Sequence, residues 1–185
     1  MTAARLRILA FTCLLHACGT EKAPSEHQEV QEVFSEHRGH AMGTLLLFRA
    51  YGPRAQATQA FAEAEAEFQR LDALLTTWKP SGEPWQFARL RPGESLLLHP
   101  ETREDLEASL SWNRRSEGAF DVTFATLSPL WKFDEDRNFH VPTNEEIAAL
   151  LPAVGPRHLS YDSVDGTLGR DDRRTQLSFG GIAKG

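Results

Sequence analysis

The chain has 185 residues, enough for one domain with a packed core and too few for two full ones. With 41% hydrophobic and 25% charged residues it falls outside the disordered and fibrous classes. A formal net charge of −6, with basic residues in short pairs such as Arg114-Arg115 and Arg173-Arg174, speaks against a nucleic-acid binder, which needs clustered Lys and Arg.

The first predicted element is a leader. Arg5 and Arg7 precede an apolar run from Ile8 to Leu15. That run is shorter than the roughly twenty apolar residues a bilayer span needs, and it has the length of a signal-peptide core. Leu15-His16-Ala17-Cys18 closes it and resembles the lipobox of bacterial lipoproteins. Residues 1–17 are therefore expected to be a lipoprotein signal peptide and residues 18–33 a polar tether, with Cys18 the acylated residue. Acyl chains on Cys18 would hold the exported protein at a bacterial membrane, facing the periplasm. Cys13 would leave with the leader, so no thiol would remain for a disulfide or a metal. The plainer alternative is an N-terminal helix with a chance cysteine.

The folded domain is expected over residues 34–185. Gly43 to Ala50, apolar and bounded by glycines, predicts a buried strand. Pro53 opens a helix whose Phe61, Ala64, Phe68, Leu71, Leu75 and Trp78, spaced 3, 4, 3, 4 and 3, share one stripe, with Pro80 and Gly82 ending it. Glu94 to His99 is a second strand, and Pro100, Thr102 and Asp105 begin a second helix. Gly118 to Trp131 has no clear period. Thr143 and Glu146 form a capping box for a short helix that Pro152 stops. Leu159 to Leu168 is a hairpin turning at Asp165-Gly166, and Thr175 to Phe179 is a last strand. Helices and strands alternate irregularly, which predicts an α+β domain.

Some segments carry chemistry, each with a plainer alternative beside it. Gly180-Gly181-Ile182-Ala183-Lys184-Gly185 follows a strand-like run, and such glycines let backbone N–H groups approach a phosphate, with Lys184 adding a cation. Taken alone, an ordinary glycine turn explains it better. Gly118-Ala119-Phe120-Asp121 joins a flat ring to a carboxylate, or is a core Phe beside a capping Asp. Trp78, on the helix stripe, is by itself a core residue. Glu36, His37 and His40 fit a solvated linker end better than a metal site. The histidines form no HExxH pair, which argues against zinc.

In order along the chain these pieces are more specific. Ala41-Met42-Gly43-Thr44, then Leu74-Leu75-Thr76-Thr77-Trp78-Lys79-Pro80 with Glu83, then Ser116 to Thr123 with Leu130-Trp131, then Phe179 to Gly185, resemble the ApbE-type FAD:protein FMN transferases. The resemblance implies a T-fold-related α+β domain. It also implies transfer of FMN from FAD to a threonine of a target protein, with AMP released and Mg²⁺ bridging the pyrophosphate. By position, Met42 would contact the flavin, and Trp78 would stand where the family has a stacking aromatic. Ala119, Phe120 and Asp121 would line the FAD pocket, Ser178 and Lys184 would lie along its glycine turn, and the Gly181 carbonyl would face the metal. Ser178 departs from the family's usual Asp. The family's remaining metal carboxylate, hydroxyl and base would come from a segment after Gly185, so this chain would be the N-terminal portion of such an enzyme. The rival reading is a non-enzymatic exported flavin-binding lipoprotein or a degenerate remnant.

Overall fold

The computed structural model describes residues 32–131 and 140–183. Two strands open the fold, β1 (Glu32–Ala41) and β2 (Thr44–Pro53), paired antiparallel with Ala41 opposite Thr44. The two residues between them, Met42 and Gly43, both have positive φ, 52° and 68°. That is the primed-turn geometry whose twist suits a two-residue hairpin, and it favours Gly, Asn or Asp at the position Met42 holds.

The hairpin lays one face on α1 (Arg54–Leu75). His37 and Phe48, paired across the strands, stack with Phe61 of α1 at centroid distances of 5.9–6.1 Å, and Phe48 meets Phe68 at 6.0 Å. The opposite face is open, with Leu45 68% and Tyr51 82% exposed. The expected buried strand is thus half-exposed, because it lies in a two-stranded ribbon covered on one side only. Glu36, His37 and His40 belong to β1 and not to a linker end, and His37 Nε2 lies 2.7 Å from the Glu65 carboxylate.

Helix α1 stops at Leu75, five residues before Pro80. Thr76 turns extended and its Oγ1 accepts the Trp78 N–H at 3.2 Å, a local bond that competes with a further helical turn. Trp78 is therefore off the helix stripe and 72% exposed, contrary to the expectation of a core residue. The chain then makes α2 (Glu83–Phe87), which the sequence reading did not foresee because one turn is too short for a period to show.

The main core gathers Phe87, Leu98, Leu106, Val122, Leu168, Leu177 and Phe179. It forms beneath α3 (Pro100–Arg115) and an antiparallel sheet ordered β3 (Ser95–Leu97), β5 (Thr167–Arg170), β4 (Leu159–Asp162). The predicted β4–β5 hairpin is present, and so is the Thr143–Glu146 capping box at the start of α4 (Asn144–Leu150). Helix α3 begins at Pro100 as expected, without a side-chain cap. Its N-cap is His99, whose N–H donates to Glu83 at 2.8 Å, while Thr102 Oγ1 is buried without a hydrogen-bond partner among the described residues. Residues 122–126 form a 3₁₀ turn where the sequence has no period.

Thr175 to Phe179 is not a strand. Thr175, Leu177 and Phe179 are buried alternately, which gives the strand-like pattern. The intervening N–H groups go instead to the 3₁₀ turn: Gln176 N–H to Thr126 Oγ1 at 3.0 Å and Ser178 N–H to the Val122 carbonyl at 3.1 Å. Arg170 fixes this segment from behind. Almost wholly buried, its guanidinium donates to the carbonyls of Ala88, Leu90 and Thr175 at 2.6–3.0 Å, and burial pushes its pKa down.

Candidate functional site

Three stretches distant in sequence meet around one cleft of about 340 Å³, within the range of small-molecule sites. Met42 and Gly43 come from the hairpin turn, Asp72 and Trp78 from the end of α1 and the loop after it, and Ser178 and Gly180 from the last segment. A second, more open depression of about 530 Å³ at the hairpin tip shares Met42, Gly43 and Asp72 with it. Another, of about 520 Å³, lies over the three-stranded sheet between Glu94 and Tyr161 and holds none of the residues singled out from the sequence.

Each wall is positioned by an identifiable local cause. Met42 occupies a left-handed conformation that non-glycine residues enter at a cost of about 1–3 kcal/mol and that clusters at functional sites. The Thr76–Gly82 loop is closed by the Gly82 N–H to the Lys79 carbonyl at 3.0 Å and by the Gln86 side chain to the Pro80 carbonyl at 3.1 Å. Gly82 is buried against the Thr76 carbonyl so closely that a Cβ there would overlap it. Glu83, 9% exposed, then ties the loop to the residue before α3 through the His99 N–H, and its second oxygen is buried with no hydrogen-bond partner among the described residues.

On the opposite wall, Ser178 Oγ accepts the Gly180 N–H at 3.3 Å, which leaves the hydroxyl proton available to a ligand. The N–H groups of Ile182 and Ala183 both reach the Phe179 carbonyl at 2.9 Å, so the glycines turn as at the start of a helix.

The structure thus brings Met42, Trp78 and Ser178 to one cleft. Phe120 lies beside it: one ring carbon stands 3.3 Å from where a Cβ on Gly181 would be. Ala119 is exposed in the chain leaving α3, after Glu117 and Gly118, both at positive φ. Asp121 is engaged locally, accepting the Thr123 N–H at 2.8 Å and its hydroxyl at 2.6 Å as N-cap of the 3₁₀ turn. Lys184 and Cys18 lie outside the described residues. The sequence reading missed Asp72. Within a helical pattern it looks like any solvated polar position, and its only signal is its place one turn before the end of α1.

The cleft offers an exposed indole to stack on, a thioether, and a hydroxyl beside a glycine turn, groups that suit a flat-ringed ligand with polar substituents. A magnesium ion finds less. Among the described residues there is no group of three or more His, Cys, Asp or Glu that could hold a metal, and the cleft's described walls offer one carboxylate, Asp72, beside the neutral hydroxyls of Thr76, Thr77 and Ser178, little negative charge for Mg²⁺.

A family model described as the ApbE family matches residues 42–185. The chain is 26% identical over 181 residues to the FAD:protein FMN transferase of Vibrio cholerae serotype O1, covering 96% of this chain and 51% of that one. It is 30% identical over 166 residues to the FAD:protein FMN transferase of Escherichia coli K12, covering 84% and 44%. Among solved structures, the apo form of the Pseudomonas stutzeri flavinyl transferase ApbE superposes with a TM-score of 0.69 at 29% identity, over 83% of this chain and 51% of that one. The α+β architecture expected from the sequence is the architecture of these flavin transferases. The chain spans about half the length of the curated relatives it matches.

Proposed function

Because this chain belongs to the ApbE family, we propose that it binds FAD and contributes to FMN transfer from FAD onto a threonine of a target protein. In that reaction the threonine oxygen attacks the phosphorus on the flavin side of the pyrophosphate. The bridging P–O bond breaks, its electron pair and AMP leave together, and the hydroxyl proton passes to a base. The observation that carries the reading is the convergence of Met42, Trp78 and Ser178 on one cleft.

The roles of the chain's own groups follow from their chemistry. Trp78 stacks on a flat ring, an interaction worth about 1–3 kcal/mol per base in comparable sites. Met42 packs against the same ligand from the strained turn. The Ser178 hydroxyl donates to a phosphate oxygen, as a neutral donor where the family resemblance leads one to expect a carboxylate. Phe120 backs the glycine turn, and Asp121 acts through the 3₁₀ turn it caps. Lys184 belongs to the same reading as a cation facing the pyrophosphate, and the Gly181 carbonyl as a group that would face the metal. Mg²⁺ dependence is part of the proposed activity, but the described residues fit the ion too poorly for a step to be drawn through it. Export through residues 1–17 and anchoring through Cys18 complete the proposal, with a target protein that shares the membrane surface.

The test is to incubate purified chain with FAD, Mg²⁺ and a threonine-containing acceptor peptide, following AMP by chromatography and the peptide by mass. FMN-modified peptide with equimolar AMP is the expected result. Bound FAD with neither product would make the chain a flavin-binding module, and no bound FAD would end the proposal.

A further inference from the structure

Asp72 is a half-buried carboxylate on the wall of the cleft, one helical turn before the end of α1. It also faces the depression at the hairpin tip, so it looks onto the Met42–Gly43 turn from below. Among the described residues its carboxylate makes no hydrogen bond and no ion pair, although most other acidic side chains on α1 and α3 that face a neighbour are engaged, as Glu65 is with His37 and Glu101 with Arg70. The last carbonyls of α1 point the same way, and no basic residue stands in the helix's last turn to offset that negative pole.

A ligand that fills the cleft removes water from this carboxylate. A carboxylate stripped of water and left without a donor is penalised, so a tight ligand must present an N–H or O–H there. A phosphate at that point would add a second negative charge and be repelled. Lys79 lines the same loop beyond Trp78 but forms no ion pair with Asp72. We propose that Asp72 is a specificity-determining residue that accepts a hydrogen bond from an N–H or O–H of the ring-bearing end of the nucleotide, and so fixes which end of the dinucleotide lies against Met42. The inference rests on the reading of the cleft as a flavin-nucleotide site. The phosphates then lie toward the glycine turn, where the Ser178 hydroxyl can donate to them.

The experiment is an FAD titration, followed by flavin fluorescence, on wild type, Asp72→Asn and Asp72→Ala. Both substitutions leave no broken hydrogen bond, so thermal midpoints should match the wild type. Loss of a charge-assisted hydrogen bond should weaken FAD binding roughly tenfold or more in Asp72→Ala, with Asp72→Asn between it and wild type. Riboflavin and AMP, titrated separately, tell which ring supplies the donor: the ligand whose affinity falls in Asp72→Ala is the one Asp72 holds. Unchanged FAD affinity overturns the inference. Tighter FAD binding in both variants overturns it too, since it would mean that Asp72 faces the phosphates. Wild type that binds no FAD fails the cleft reading itself, before any variant is compared.

Discussion

The hairpin with α1 and the core around α3 are built differently. In the first region neighbours in sequence are neighbours in space: β1 returns on β2 through two residues, α1 follows at once, and the polar links are exposed, as between Glu36 and Arg38 or Arg49. In the second, the decisive links span the chain, with Arg170 reaching carbonyls 80 and 82 residues away. The first region holds Met42 on a strained turn at its tip, and the second holds Ser178 in an extended segment with buried anchors on both sides. The cleft lies at their seam, so it needs both, and the loop carrying Trp78 is the piece that joins them.

That contrast can be broken most forcefully at Arg170. Arg170→Ala would leave the buried carbonyls of Ala88, Leu90 and Thr175 without their donor and should destabilise the fold by roughly 3 kcal/mol in urea unfolding. A loss below about 1 kcal/mol would mean that the long-range region is held mainly by its apolar contacts. Next comes Gly82→Ala, whose new Cβ overlaps the Thr76 carbonyl. Overpacking of this kind costs roughly 2 kcal/mol. Because the strain falls on the joining loop, FAD affinity should drop along with the thermal midpoint. A variant that lost stability but kept full affinity would separate the loop from the site.

The smallest effect concerns a tyrosine of the core region. Burial, reinforced by the bond its hydroxyl donates to Glu107 at 2.6 Å, pushes Tyr161 up to about 12. A raised pKa means that the folded state holds its proton more tightly than the unfolded chain. The stability this contributes is whole below the ordinary tyrosine value of about 10 and is lost as pH rises toward 12. Stability of Tyr161→Phe should therefore fall less steeply than wild type across that window. Parallel decline in the two proteins would contradict the raised pKa of Tyr161.

Legibility in the sequence followed the same divide between local and distant causes. The β4–β5 hairpin, the Thr143–Glu146 box and the opening of α1 at Pro53 were readable because a few adjacent residues determine each. Strand β1 was not, since its inward positions include Ser35, His37 and Gly39, which carry no apolar alternation. Thr175 to Phe179 misled for the opposite reason. Its alternation is real, but the surface it packs on is a 3₁₀ turn and not a strand, and a one-sided pattern cannot name its partner. For the site, Met42, Trp78 and Ser178 were visible through the ordered family motifs. Asp72 gains its meaning only when the hairpin tip is brought over the end of α1.

The central claim is that an exposed indole beside the Met42 turn is the platform for a flavin nucleotide. Titrating FAD into wild type and Trp78→Ala, with flavin fluorescence as the readout, tests it directly. Wild type should quench the flavin on binding, and Trp78→Ala should bind roughly tenfold or more weakly and quench less. Equal affinity and equal quenching in the two proteins would contradict the account.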